Sequence, residues 1–383
     1  MTQTPFRLET ARLRTGAAYE LVVYDRLRED ERVLFAELAA DPELYGVLRP
    51  TTSGAGASYK TADRDTALLL LTLAEPGPLP AFARGPDAER GLVELILDGV
   101  LEVEHEGRFV GGAQAAPLLA SPATVADHPL GRLSRRALSL AAALRSDDLP
   151  RLAAFLYDFN RQPADPDLAR HLPDQEAILG HLGLGRGTPR RSAAERSWEV
   201  TEEEGSGWIY FRTRGRRGRA DGAAYKLYLS PRLEHLPQAA EDLLEVLAGQ
   251  RDAAFKVGGD AAGVLRPDKL VAYFGDLETL LATARDLEER TGSLAPQGVP
   301  FTAPVDPRGL LSWGVDPPAT ARPLSWQGPE SWRTWLVERL AAALARAVAG
   351  GADDPCAFAL ARLGHEGVDT ERWIPGAGLF RAA

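Results

Sequence analysis

The sequence predicts an α+β protein: a mainly helical first half with a small strand pair, then a second half of strands interleaved with helices around a mixed sheet. Three observations carry this. Apolar residues recur at helical spacing through much of the first 182 residues. A polar, Gly-containing stretch, GLGRGTPRRSAAER (183–196), follows as a linker. Beyond it, short alternating runs of strand type take turns with amphipathic runs. At 383 residues the chain exceeds the usual size of one core. Two domains are expected, 1–190 and 191–383.

The elements follow in order. Leu21, Tyr24, Leu27, Val33, Leu34 and Leu38 predict helix over 17–39, ended by Asp41-Pro42. PTTSGAGAS (50–58) is a loop, and a helix is expected at 63–74. Residues 92–112 read as a strand pair turning near Glu106-Gly107. Helical patterns return at 132–145, 149–159 and 173–182. In the second half, 208–213 and 224–229 alternate as strands, joined by the Arg-rich RGRRGRADG. Helices fit 236–249, 276–290 and 329–349; strands fit 254–257, 269–274 and 309–315.

Composition narrows the function. A hydrophobic fraction of 45% and a charged fraction of 26% are ordinary for a globular protein. A net charge of −10 argues against general nucleic-acid binding. The longest apolar run, 67–74, is too short to cross a bilayer, and MTQTPFRLETARLR does not read as a secretory signal. A cytoplasmic protein with no membrane partner is expected. The single cysteine, Cys356, excludes an intrachain disulfide and a cysteine-based zinc site. The six histidines form no metal-ligand spacing, and no metal or other cofactor is expected.

Of the 44 basic residues only four are lysines, Lys60, Lys226, Lys256 and Lys269, and three of them fall within residues 226–269. Arginine stays charged at any working pH, whereas a desolvated lysine can lose its proton and act as a base. Lys226 and Tyr228 are two apart in AYKLYLSP and share a strand face. Lys256, between Phe255 and Val257 in AFKVGGDAAG, is expected half-buried near other cations, which lowers an amine pKa. Lys269 opens a strand in RPDKLVAYF, beside Arg266. The competing reading for Lys256 is a snorkelling strand residue with its amine in water, and for Lys226 and Lys269 an ordinary edge charge. His235, seven residues beyond Tyr228, is a further candidate, against a solvent-facing loop histidine. Arg212, Arg214, Arg216, Arg217 and Arg219 make a dense positive turn, either an anion contact or a solvated hairpin tip. Lys60 is assigned to a flexible loop.

YKLYLSP, AFKVGGDAAG, RPDKLVAYF and GVPFTAPVDPRGLLSWGVDPP (298–318) resemble the HopA-type effector family, mainly over 205–320, with a looser match at VYDRLREDERVLFAELAADPEL (23–44). That family includes effectors of plant pathogens and proteins of class V lanthipeptide and thioamitide maturation taken to be lyases. There a separate aminoglycoside-phosphotransferase-like kinase phosphorylates Ser or Thr of a precursor peptide. The HopA-like protein then eliminates phosphate to give dehydroalanine or dehydrobutyrine. More distantly the stretch is similar to phosphothreonine lyases and to lyase domains of class III and IV lanthipeptide synthetases. These carry Lys-x-His on a strand, the proton-abstracting lysine about thirty residues later, and phosphate-holding arginines beyond.

The resemblance implies a phosphothreonine-lyase-like second domain. It implies Lys256 as base, and Lys226, Arg266, Lys269 and Arg308 as the phosphate cradle. This chain departs at Tyr228, which stands in place of the family histidine; Tyr228 or His235 is then the acid. A phosphorylated precursor peptide and the kinase are the partners implied. Two other readings stand beside the lyase: a non-catalytic partner of a leader peptide or kinase, and an effector-like protein acting on a host target.

Overall fold

The computed structural model describes residues 7–51, 58–119, 127–202, 207–214, 225–250, 252–318, 324 and 327–380. Arg216, Arg217 and Arg219, Ala224, and most of the loop expected at 50–58, lie outside them.

The protein is α+β. Its largest sheet has seven strands: β1 (Trp198–Glu202), β2 (Trp208–Thr213), β3 (Tyr225–Leu229), β4 (Ala254–Gly258), β5 (Leu270–Phe274), β6 (Ala303–Pro304) and β7 (Leu311–Val315). They lie in the order β6-β7-β3-β5-β4-β2-β1. Every pairing is antiparallel, not mixed as expected. The helix Leu236–Ala248 does carry the chain from β3 to a parallel β4, but β5 lies antiparallel between the two, so no neighbouring strands run parallel.

One face of this sheet is apolar. Ile209, Phe211, Leu227, Leu229, Phe255, Val257, Leu270 and Ala272 are buried in a core with helices Leu236–Ala248 and Leu277–Arg290. Phe211 stacks on Phe255 with centroids 4.4 Å apart. These residues alternate along their strands, so the residues between them must point the other way.

The first half holds more strand than its pattern suggested. Residues 19–23 form a strand that pairs with Leu44–Pro50, where helix was expected from 17 to 39; only Glu29–Leu34 is α-helical. The apolar spacing there is ambiguous between the two periods, and pairing with 44–50 decides it. The strand pair expected within 92–112 is Leu101–His105 with Arg108–Val110, turning through Glu106 and Gly107, both at positive φ. Before it runs the helix Pro86–Leu97. Lys60 is in the strand Lys60–Asp63, not a loop, with its ammonium 2.6 Å from Asp98.

Two main cores form, and they do not divide at residue 190. Gln175–His181 packs into the core of the seven-stranded sheet, and the expected linker includes a helix, Pro189–Ser197. The late helix Trp332–Ala349 returns instead to the first core, against Leu149–Asp158. The chain therefore crosses between the cores more than once, Phe301 also packing in the first, which brings first-core helices over the sheet. No described helix is long and apolar enough to cross a membrane.

Candidate active site

In an antiparallel sheet, residues directly opposite one another share a face. Tyr228 stands opposite Ser312 on one side and Val271 on the other; Val271 stands opposite Lys256, and Lys256 opposite Tyr210. One row therefore reads Ser312, Tyr228, Val271, Lys256, Tyr210. The next row reads Gly314, Lys226, Tyr273, Ala254, Arg212. This is the face turned away from the apolar core. It gathers two of the four lysines and three tyrosines over about five strands' width.

Two helices bound this face. Here Leu149–Asp158 is α1 and Trp332–Ala349 is α2. The N-terminus of α2 presses directly on β7: a Cβ at Gly314 would come within 2.8 Å of the Trp332 ring, so only glycine fits. Asp316 joins the two elements. It accepts the Trp332 backbone N–H at 3.0 Å and ion-pairs with Lys226, tying the sheet cation to the helix start.

Lys256 points its ammonium at the face of Trp208, 3.8 Å from the ring centroid. Among the described residues it has no hydrogen bond or ion pair. Burial, and then the positive charges of Lys226 and Arg266, lower its pKa from 10.5 to about 8, against the opposing pull of Asp268 and Asp316. Arg266 reaches the same ring, 5.1 Å from its centroid. The glycines of AFKVGGDAAG explain how. Gly258 stands opposite Trp208, and a Cβ on it would meet the Gly263 carbonyl carbon at 2.3 Å. The chain folds back tightly there, and Asp260 caps the resulting short helix through the Gly263 N–H at 2.6 Å. Arg266 is thereby returned over Trp208.

Behind Arg266 is a buried carboxylate. Asp268 is 4% exposed. It accepts Arg266 Nε at 2.9 Å and Nη2 at 3.0 Å, lies 2.9 Å from Arg333 Nη1, and accepts the Tyr157 hydroxyl at 3.1 Å. Burial alone would raise its pKa, but the two guanidiniums hold it far below the ordinary carboxylate range. Arg333, from α2, is 1% exposed and also donates to the Tyr157 carbonyl at 2.6 Å. Arg266 Nη1 has no partner among the described residues. A cavity of about 630 Å³ opens between α1 and α2 beside Tyr157 and Arg266.

The candidate residues fare differently. Lys226, Lys256 and Arg266 come together, with Tyr228 in the row of Lys256. Tyr228 is 3% exposed, packed with Val271 and Val299, and burial pushes its phenol well above 10. Lys269 is sealed away: fully buried, it donates to the Pro231 carbonyl at 2.7 Å and to Gln297 Oε1, and burial lowers its amine to about 7. Arg308 is spent elsewhere, donating to the carbonyls of Thr291, Gly292 and Leu294 at the end of the helix Leu277–Arg290. Neither is available as a phosphate ligand in this structure. His235 opens the helix Leu236–Ala248, in the layer on the opposite face, and its ring has no hydrogen bond or ion pair among the described residues. Among the described residues no cluster of His, Cys, Asp and Glu is placed to hold a metal ion.

Trp208, Tyr157, Asp268, Asp316 and Arg333 complete the site without being singled out by motif or spacing. Asp268 and Trp208 had a signal: the first lies between Arg266 and Lys269, and the second shares the alternation that places Tyr210 opposite Lys256. Tyr157 and Arg333 had none, because they arrive from helices of the other core.

No family model matches the chain, and no curated protein matches it. Solved structures do. An effector protein from Pseudomonas syringae pv. syringae strain 61 is 14% identical, with 64% of this chain and 98% of that one covered at a TM-score of 0.38. An effector from Pseudomonas syringae pv. tomato strain DC3000 gives 13%, 63%, 97% and 0.36. The type III effector and phosphothreonine lyase OspF from Shigella flexneri gives 19%, 43%, 90% and 0.26.

Proposed function

We propose that the protein is a metal-independent carbon–oxygen lyase that eliminates phosphate from phosphoserine or phosphothreonine in a peptide. The observation that carries the reading is Lys256: an amine on the polar face of the sheet, without an ion pair among the described residues, its pKa lowered to about 8 beside Lys226 and Arg266. A base for α-proton removal must be neutral near working pH, and fixed cations must meet the leaving phosphate. With its pKa lowered to about 8, Lys256 is neutral in part near pH 7 and mostly so above 8. Arg266, with Nη1 uncommitted, meets the second need, and Lys226, ion-paired with Asp316, adds its charge from beside it.

The step balances with these groups. Lys256 Nζ takes the Cα proton, the C–H electron pair becomes the Cα=Cβ bond, and the Cβ–O bond breaks toward phosphate. A proton donor neutralises the departing oxygen. Tyr228 is suited in one respect: its raised pKa keeps the phenol protonated wherever Lys256 is neutral. The products are inorganic phosphate and a dehydroalanine or dehydrobutyrine residue, and the Lys256 proton passes to solvent. A cavity between α1 and α2 adjoins Arg266 on the side of Tyr157. The substrate in this reading is a precursor peptide phosphorylated by a separate aminoglycoside-phosphotransferase-like kinase, as in lanthipeptide or thioamitide maturation.

The test is direct. Incubation with a phosphothreonine peptide should release phosphate and leave a peptide lighter by phosphoric acid, which adds thiols at the new double bond. A peptide recovered unchanged would remove the reading.

The rate should also report the base. Since only neutral Lys256 accepts the proton, kcat/KM should rise with pH and level off above about 8. A flat profile between pH 6 and 9 would remove Lys256 as base. Lys269→Met should behave in the opposite manner to a phosphate ligand. It leaves the Pro231 carbonyl and the Gln297 side chain without their donor, at about 1–3 kcal/mol each if no water replaces it. Denaturation should register that loss, whereas KM for the phosphopeptide should hold within about twofold.

A further inference from the structure

A second cavity, of about 820 Å³, is lined mainly by first-half residues, with Leu324 and Gln327 from the second half, and by none of the residues around Lys256. It opens between the helix Glu29–Leu34, the strand Lys60–Asp63 and the helix Pro86–Leu97. Buried Phe35 and Leu48, with Leu38 and Leu95, supply apolar wall; exposed Asp41, Glu43 and Asp63 also line it. The apolar surface does not stop at the mouth. Leu34 lines the cavity while 42% exposed, and its neighbour Val33 is 71% exposed.

The charge of the lining is one-sided. Asp41, Glu43, Asp63, Glu94 and Asp98 are present, with Lys60 the single basic residue among the described lining. The Lys60 charge is consumed by Asp98, which also pairs with Arg346 and Arg362; Glu94 pairs with Arg362 at 3.2 Å. Asp41, Glu43 and Asp63 have no ion pair among the described residues. Asp41 and Asp63 turn one oxygen each to a local backbone N–H, which leaves their charge in place. Apolar wall with uncompensated carboxylates calls for a ligand that is apolar and cationic together. Apolar surface continuing past the mouth calls for one longer than the cavity.

We infer that this cavity docks a basic amphipathic segment of another polypeptide, with leucine-like side chains inserted and Lys or Arg side chains meeting Asp41, Glu43 and Asp63. It uses none of the residues assigned to elimination, so it stands or falls separately from that chemistry.

The experiment uses the full chain and a short fluorescein-labelled peptide of leucine and lysine at helical spacing, read by anisotropy. The same peptide with glutamate for lysine is the control. The lysine peptide should bind and the glutamate peptide should not. Asp41→Lys with Glu43→Lys should weaken binding about tenfold or more. Asp286→Lys with Glu289→Lys, exposed on the helix Leu277–Arg290 and equal in net charge change, should leave it within about twofold. Leu95→Trp, which fills the cavity without altering charge, should weaken it by a similar factor in protein whose melting temperature is retained. Equal loss in the two charge-reversed variants would reduce the effect to the overall acidity of the chain and overturn the site. So would full binding by folded Leu95→Trp. No peptide binding, with a dimer in sedimentation that Leu95→Trp dissolves, would overturn it in favour of a second copy of this chain.

Discussion

Lys256→Ala should lower phosphate elimination by about a thousandfold, the usual worth of a positioned general base, with little effect on phosphopeptide affinity. Lys256→Arg should be equally inactive. It keeps the positive charge over Trp208, but a guanidinium does not give up its proton at working pH. Activity retained by the arginine variant would show that the position supplies charge rather than proton transfer. A stability measurement separates the two roles further. The folded pKa of about 8 lies below the ordinary 10.5, so between these values the unfolded chain binds the more protons. Stability contributed through this group therefore rises with pH across that window, and the whole penalty is present below pH 8. Lys256→Met escapes it. The melting temperature of the methionine variant should exceed that of the native protein by a few degrees at pH 7, and the difference should shrink toward pH 10. An inactive variant that is also more stable is what a site held against its own stability predicts.

The largest loss of stability should come from Asp268→Ala. The change leaves Arg333 buried with no anion and frees Arg266 and the Tyr157 hydroxyl from their shared acceptor. Breaking a buried pair in this way costs about 3–5 kcal/mol, a large fraction of the stability of an ordinary domain. Urea denaturation should show it directly. Asp268→Asn keeps the shape and removes the charge, and so carries the functional prediction. Asp268 raises the Lys256 pKa, so its loss lowers that pKa further. The rising limb of the rate profile should move below pH 8 in the asparagine variant. A limb that stays in place would detach Asp268 from the base. Because the Asp268 carboxyl is held below its ordinary value of 3.8, its contribution is present above that pH and is lost as pH falls through the lower folded value. Acid unfolding of the native protein should thus be late, and earlier in Asp268→Asn.

Tyr228 and His235 show what spacing can and cannot decide. They lie seven residues apart, yet Tyr228 joins the row of Lys256 whereas His235 starts a helix of the opposite layer. A turn separates them, and the direction taken after a turn depends on what the next helix buries. Lys269 makes the same point within one strand. Its parity matches Val271 and Tyr273 on the lysine face, but the Pro231 carbonyl and Gln297 close over it. Arg308 is drawn off by helix-end carbonyls that were unassigned until the fold placed them nearby.

The amino-acid order by itself determined that strands and helices interleave in the second half, that Lys226 and Tyr228 share a face, and that Lys256 sits between two apolar neighbours. Those are consequences of a two-residue repeat, which is local. Only the tertiary structure decided that the sheet is wholly antiparallel, that the helix at 332–349 belongs to the first core, and that Arg333 and Tyr157 meet Asp268 behind the lysines. Which charges surround Lys256, and hence how easily it gives up a proton, depends on chain segments far apart in sequence. Electrostatic interaction follows distance through space, and the sequence states only distance along the chain.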